Sequence, residues 1–224
     1  LKIDDYVEKW DEEFAPIVEK IVDHPFVLDV CDGKLPKEKL VHLVRDQYFI
    51  VAGDLRNEIA TAARAPQIWV QDFFREMANA ERTALNNLFK IAKVLGLDEK
   101  KMEYNDPSPG TLAFTNFFGR LANYGTAGEV ASEMLFTFPT WEPNCKKIFY
   151  GLKKYYGFKE KDLAFFNIWG TSDYPIIKRK FMDIMALYLD EHNLKKMRVA
   201  GKLGLEYEAI FWDTVYGEEK PFQK

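Results

Sequence analysis

LVHLVRDQYFIVAGDL, residues 40–55, is apolar on nearly every face, which makes it the central helix of a bundle rather than a surface one. Asp46 interrupts it. A carboxylate among apolar neighbours must be hydrogen-bonded, paired or neutralised. Along a helix Phe49 (i+3), Ile50 (i+4) and Gly53 (i+7) share the face of Asp46. An acid, an aromatic wall and a gap without a side chain read as one side of a small-molecule pocket. The alternative is an Asp satisfied by a neighbouring helix, and the residues alone leave both open.

Outward from this stretch the chain is helical throughout. Tyr6, Val7, Trp10, Phe14, Ile17, Val18, Ile21 and Val22 form a stripe that Asp4 or Asp5 caps and Asp23-His24-Pro25 ends. A short apolar segment, PFVLDVC, turns at Asp32-Gly33, and Pro36 opens the central helix, which runs to Ala65-Pro66. The next helix spans Gln67 to Leu95-Gly96, with Val70, Phe73, Phe74, Met77, Ala84, Leu88, Ile91 and Leu95 inward. A long polar loop is expected from Asp98 to Gly110, then an aromatic helix from Thr111 to Tyr124 closed by Gly125. Thr126 and Glu129 form a capping box for a long helix whose Pro139 and Pro143 predict a kink at 137–143. Gly157 ends that helix, Lys159–Trp169 is a short one, and a turn follows at Gly170-Thr-Ser-Asp. Two more helices, Pro175–Glu191 and Leu194–Tyr216, close the chain. No stretch alternates as a strand does. The expectation is one all-α domain over 1–224, a bundle of seven or eight helices.

Composition bounds the function. The 224 residues carry a net charge of −4 with no basic cluster, so a nucleic-acid footprint is missing. No apolar run reaches membrane-spanning length, and the charged start, LKIDDYVEKWDEEF, does not read as a signal peptide. Two cysteines, Cys31 and Cys145, make no disulfide framework, and a cytoplasmic location is expected. The three histidines, His24, His42 and His192, include none three residues after an acid, so a carboxylate–histidine metal site is not expected. His24 is read as closing a helix end, His42 as polar-facing and His192 as lying near a helix C-terminus.

A second acid stands out. Glu208, in GLEYEAIFWDTVYG, has Leu205 and Gly204 behind it and Phe211 and Trp212 ahead on its helical face. An acid so framed has its pKa raised, which suits a general acid or base. Its alternative is a surface Glu at the edge of a stripe.

HPFVLDVCDGKLP (24–36), RDQYFIV (45–51), DPSPGTLAFTNF (106–117) and EYEAIFW (206–212) together resemble the TenA/THI-4 family, the type II thiaminase group. The resemblance covers nearly the whole chain in the right order. It implies a haem-oxygenase-like all-α fold, a homo-oligomer (tetramer or dimer), no metal or other cofactor, and hydrolysis in thiamin-pyrimidine salvage: removal of an amino group from an aminopyrimidine, or cleavage of thiamin itself. It assigns Asp46 to holding the pyrimidine and Glu208 to shuttling protons. The family's nucleophilic Cys has no counterpart: its place falls at Thr137 or at Thr140. Family tyrosines correspond to Phe49, Phe114 and Trp169, with a further aromatic at Trp141, and Phe211 joins these as a wall beside Glu208. Glu133 and Glu142 are nearby acids that could stand in for the Cys. A non-catalytic binding protein with the same cavity is the alternative, and a dimetal oxidase of the same superfamily is disfavoured by the scarcity of His.

Overall fold

The computed structural model describes residues 2–170 and 174–217, and among them every regular element is helical. Ten α-helices follow in order: α1 (Ile3–Val22), α2 (Pro25–Cys31), α3 (Lys37–Arg64), α4 (Ile68–Val94), α5 (Glu99–Glu103), α6 (Pro109–Tyr124), α7 (Ala127–Tyr155), α8 (Ala164–Trp169), α9 (Tyr174–Met185) and α10 (Glu191–Tyr216). The all-α expectation holds. Thr171, Ser172 and Asp173 of the expected turn lie outside the described residues.

The ends of these helices follow from local chemistry. The Lys2 N–H donates to the Asp5 carboxylate at 2.8 Å, which makes Asp5 rather than Asp4 the acid that closes α1. His24 then starts α2: its Nδ1 accepts from the Phe26 N–H at 3.2 Å, with Pro25 at the first helical position. The apolar PFVLDVC segment is therefore a helix. The expected polar loop also contains a turn of helix, α5, because the Asp98 carboxylate accepts from the Lys101 N–H at 2.7 Å while Met102 is buried beneath it. The Thr126–Glu129 capping box forms as read, with the Thr126 N–H donating to Glu129 at 2.8 Å.

Two expectations are corrected. The helix from Pro175 does not reach Glu191: α9 ends at Met185 and a 3₁₀ turn spans Ala186–Tyr188. His192 consequently stands in the first turn of α10, not near a helix C-terminus. At the two prolines α7 runs on unbroken. Pro139 cannot donate to the carbonyl of Leu135 four residues back, and the Tyr174 hydroxyl donates to that carbonyl instead, at 2.8 Å.

α7 is the spine. It packs on α10, α9 and α2, while α3 packs on α4 and α6. The α7–α10 contact depends on the absence of two side chains. A Cβ on Gly201 would stand 2.5 Å from the Phe136 ring, and one on Gly204 would stand 2.8 Å from Glu133 Cγ. Phe136 is buried against Phe14, ring centroids 4.9 Å apart, and has no room to yield. Gly201→Val therefore overpacks the seam, and denaturant unfolding is expected to show a loss of about 1–3 kcal/mol.

Candidate functional site

Enclosed by α3, α4, α6, α7, α8 and α10 is a cavity with about 550 Å³ of unfilled space, counted out to its mouth. Phe114, Phe138, Trp141, Trp169 and Phe211 wall it, with Gln47, Asp54, Glu81, Thr137 and Glu208 among its polar lining. A contiguous deeper part shares Asp54, Glu81, Phe114, Thr137 and Phe138 and adds Glu58, Thr115 and Glu133. Six residues singled out in the sequence (Phe114, Thr137, Trp141, Trp169, Glu208 and Phe211) thus meet around one space.

The rings are held from behind. Trp141 packs on Trp212 and Phe165, with centroids 5.7 and 6.3 Å away, and Phe138 meets Trp169 edge-on at 5.7 Å. Phe114 lies over Phe211 at 6.4 Å. Such walls favour a flat ligand.

Glu208 is buried, and both its oxygens are engaged. The Trp212 Nε1–H donates to Oε1 at 3.3 Å, and Oε2 lies 2.6 Å from the Thr140 hydroxyl. Burial pushes its pKa up to about 7, against the pull of those two bonds. The Thr140 hydroxyl also lies 2.6 Å from the Thr137 carbonyl. One hydroxyl carries one proton. With Glu208 ionised, Thr140 donates to it. With Glu208 protonated, the carboxyl donates to Thr140 and Thr140 donates to the Thr137 carbonyl. Either protonation state of Glu208 leaves its hydrogen bond with Thr140 formed.

Asp46 and Phe49 do not reach this cavity. Asp46 is fully buried and tied to the start of α6: its Oδ2 accepts from the Ser108 N–H at 3.1 Å and the Thr111 hydroxyl at 2.7 Å, and Arg45 donates to Oδ1 at 3.0 Å. Burial opposes its charge, but the bonds from His42, Ser108 and Thr111 outweigh that and hold the carboxyl far below the usual range. His42 also bonds the Ser108 hydroxyl at 2.8 Å. Of the readings left open for Asp46, the satisfied acid is the one with the geometry. Gln47 faces the cavity instead. Phe49 and Gly53 line a separate surface groove with Arg56 and Arg120, and the gap at Gly53 accommodates the Thr115 side chain of α6.

Of the two acids that could stand in for a thiol, Glu133 lines the deep part of the cavity, whereas Glu142 lines neither part. Cys145 is fully buried, and its thiol is held well above its usual range by burial, then by Glu208 and Glu142. Cys31 packs at the carbonyl of Lys147, 3.9 Å away. Sequence reasoning missed Gln47, Asp54, Glu58 and Glu81.

The architecture defines an all-α protein of the haem-oxygenase-like kind. A structure described as having that fold, from Shewanella denitrificans OS217, superimposes with a TM-score of 0.79 at 13% identity, covering 95% of this chain and 92% of its own. A TenA homologue from P. horikoshii OT3 gives 0.77 at 20% identity over 94% of this chain and 98% of that one. Residues 12–218 match the model of the TENA/THI-4/PQQC family, and the chain belongs to that family. An aminopyrimidine aminohydrolase from Halalkalibacterium halodurans is 25% identical over 92% of this chain and 93% of that protein. Among the described residues no helix is long and apolar enough to cross a membrane.

Two measurements check the roles of the acids. Asp46→Ala strands the donors of Arg45, Ser108 and Thr111, and chemical denaturation is expected to show a loss of about 2–4 kcal/mol. The pH dependence carries opposite signs for the two groups. Asp46, held low, contributes stability above the ordinary carboxylate range and loses it as pH falls. Glu208, raised from 4.5 to about 7, favours the fold below pH 4.5 and loses that contribution, about 3 kcal/mol, as pH rises through 7. Melting curves from pH 4.5 to 8 are expected to fall more steeply for the native chain than for Glu208→Gln.

Proposed function

We propose that the protein is a TenA-type hydrolase that removes an amino group from an aminopyrimidine of the thiamin-related kind. The observation that carries this reading is the pairing of a buried Glu208, hydrogen-bonded to Thr140, with an aromatic slot in one cavity. Family membership and the likeness to an aminopyrimidine aminohydrolase support it. The flat ring lies among Phe114, Trp141, Trp169 and Phe211.

Gln47 recognises the ring. It is buried, it lines the cavity, and its Oε1 has no hydrogen-bond partner. A primary amide matches a ring nitrogen beside an exocyclic amino group: the oxygen accepts from the amino group and the NH₂ donates to the ring nitrogen. Gln47 thereby takes the part that the resemblance gives to Asp46.

With no thiol on the cavity lining, water is the nucleophile. Glu208 accepts a proton from water as its oxygen bonds to the substrate carbon, and returns a proton to the departing amine as the carbon–nitrogen bond breaks. Alcohol and ammonia leave, and Glu208 is restored. A carboxyl poised near neutrality suits both steps. The buried, unreactive state of Cys145 favours a second reading, in which the same cavity binds the ring without turning it over.

Ammonia release from an aminopyrimidine of this kind tests the reading. The native chain is expected to turn over, Glu208→Gln to lose at least a hundredfold in kcat, and Gln47→Leu to raise KM by about tenfold to a hundredfold. Equal rates for the native chain and Glu208→Gln would refute it, and binding without ammonia would favour the second reading.

A further inference from the structure

Glu58 has no role in that scheme, and it is the most exceptional side chain in the molecule. It is fully buried at the deep end of the cavity, and neither carboxylate oxygen has a hydrogen-bond partner. Around the same space stand Asp54, Glu81, Glu133 and, toward the aromatic end, Glu208. Among the described residues no Lys, Arg or His lines either part. Asp54 keeps some accessible surface, since it faces the cavity rather than bulk water; Glu81 and Glu133 are buried. Five acids thus share one aromatic-walled cavity, and among the described residues no cationic side chain lines it.

An isolated buried carboxylate is costly, and natural chains retain one where a partner offsets the cost. Among the described residues Glu58 has no such partner. Burial, and next the neighbouring acids, hold Glu58 and Glu133 well above the usual range, as burial and Asp54 do for Glu81; burial alone raises Asp54 to about 8. A cation placed among these acids would favour their ionised forms and displace the protons.

We propose that the deep end of the cavity, between Asp54, Glu58, Glu81 and Glu133, is a subsite for the protonated amine of an organic ligand. Two features select an organic ammonium over a metal ion. Among the described residues no three Asp, Glu, His or Cys side chains are arranged to hold one metal ion, so the acids suit donors spread over a carbon framework. Phe114 and Phe138 also border both parts of the cavity, and aromatic faces stabilise an ammonium while accepting the carbon chain that carries it. The ligand is elongated: a flat or apolar portion among the rings, and a cationic arm reaching past Thr137 to Glu58. This goes beyond the hydrolase reading and does not need turnover, because a protein that only binds would use the same subsite.

Calorimetric titration and thermal shift at pH 7 and low salt test it, with benzylamine and 1,4-diaminobutane as cationic probes. Benzyl alcohol and 1,4-butanediol are the neutral matches, and Mn²⁺ is the metal probe. The expected result is that both amines bind and stabilise the native chain while the alcohols bind at least tenfold more weakly. Glu58→Gln and, separately, Asp54→Asn are expected to lower amine affinity at least tenfold. If either variant fails to fold, the amine-against-alcohol comparison on the native chain still decides. Equal binding of amines and alcohols, undiminished amine affinity in both variants, or binding of Mn²⁺ without the amines would overturn the proposal. Because the readout is binding, absence of ammonia release leaves it standing, and ammonia release without a preference for amines overturns it alone.

Discussion

Helix α10 lies directly on helix α7, and the cavity exists because it does. Where Gly201 and Gly204 face Phe136, Glu133 and Thr137, no side chain intervenes. The two backbones come close enough for Thr140 to reach Glu208 at 2.6 Å and for the Ser132 hydroxyl to reach the Met197 carbonyl at 2.8 Å. A wider separation would put water between Glu208 and Thr140, and the proton on the carboxyl would be shared with solvent rather than with one hydroxyl. The same approach seals the floor of the chamber, with Glu133 on α7 facing Gly204 on α10. Helix packing and site electrostatics are here one constraint.

The molecule treats its buried acids in two ways. Asp46 sits where the start of α6 offers donors, and it gathers the Ser108 N–H and the Thr111 hydroxyl, with the guanidinium of its own neighbour Arg45 on the other oxygen. That carboxylate is ionised and spent on architecture, pinning α6 to α3. Glu58 and Glu81 have no such helix start beside them. Among the described residues no hydrogen bond offsets the burial of Glu58, which is the pattern of a site that gives up stability for a ligand. Glu208 stands between these extremes, with two moderate bonds and an exchangeable proton.

Much of this was legible in the sequence. Helix ends marked by an acid, a His-Pro pair or a Thr–Glu box were readable because capping is local chemistry, settled within four residues. Glu208 was readable because its own turn frames it with apolar side chains. Asp54, Glu58 and Glu81 were not, although each left a mark. On α4 the inward stripe runs Val70, Phe73, Phe74, Met77 and then Ala84, and Glu81 fills the interval at the spacing a helix requires. On α3 Ile50, Asp54, Glu58 and Ala62 fall four apart on one face. Read by residue type, these acids suggest solvent; read by position, they continue the core. The one-residue difference between Asp46 and Gln47 was beyond such reasoning. A step of about 100° along a helix separates a residue facing α6 from one facing the cavity, and only the placement of α6 decides which is which.

The departures from the family pattern bear on the same electrostatics. Phenylalanine and tryptophan stand at 114 and 169, where the resemblance places tyrosines, so among the described residues the cavity's hydroxyls come from threonines such as Thr137 rather than from phenols. A phenol at either place would offer a donor that favours an ionised carboxylate, and a bare ring offers none. Burial is the first cause of the upward shifts of Glu208 and of the deeper acids, and apolar walls keep that burial. A thiolate beside five carboxyl groups would be held protonated, as Cys145 is by burial with Glu208 and Glu142 nearby. A threonine at 137 or 140 carries no charge that the acids could oppose, and at 140 it serves the carboxyl directly. The phenol-poor walls, the absent thiol and the crowded acids are therefore mutually consistent: each makes the others less costly to keep.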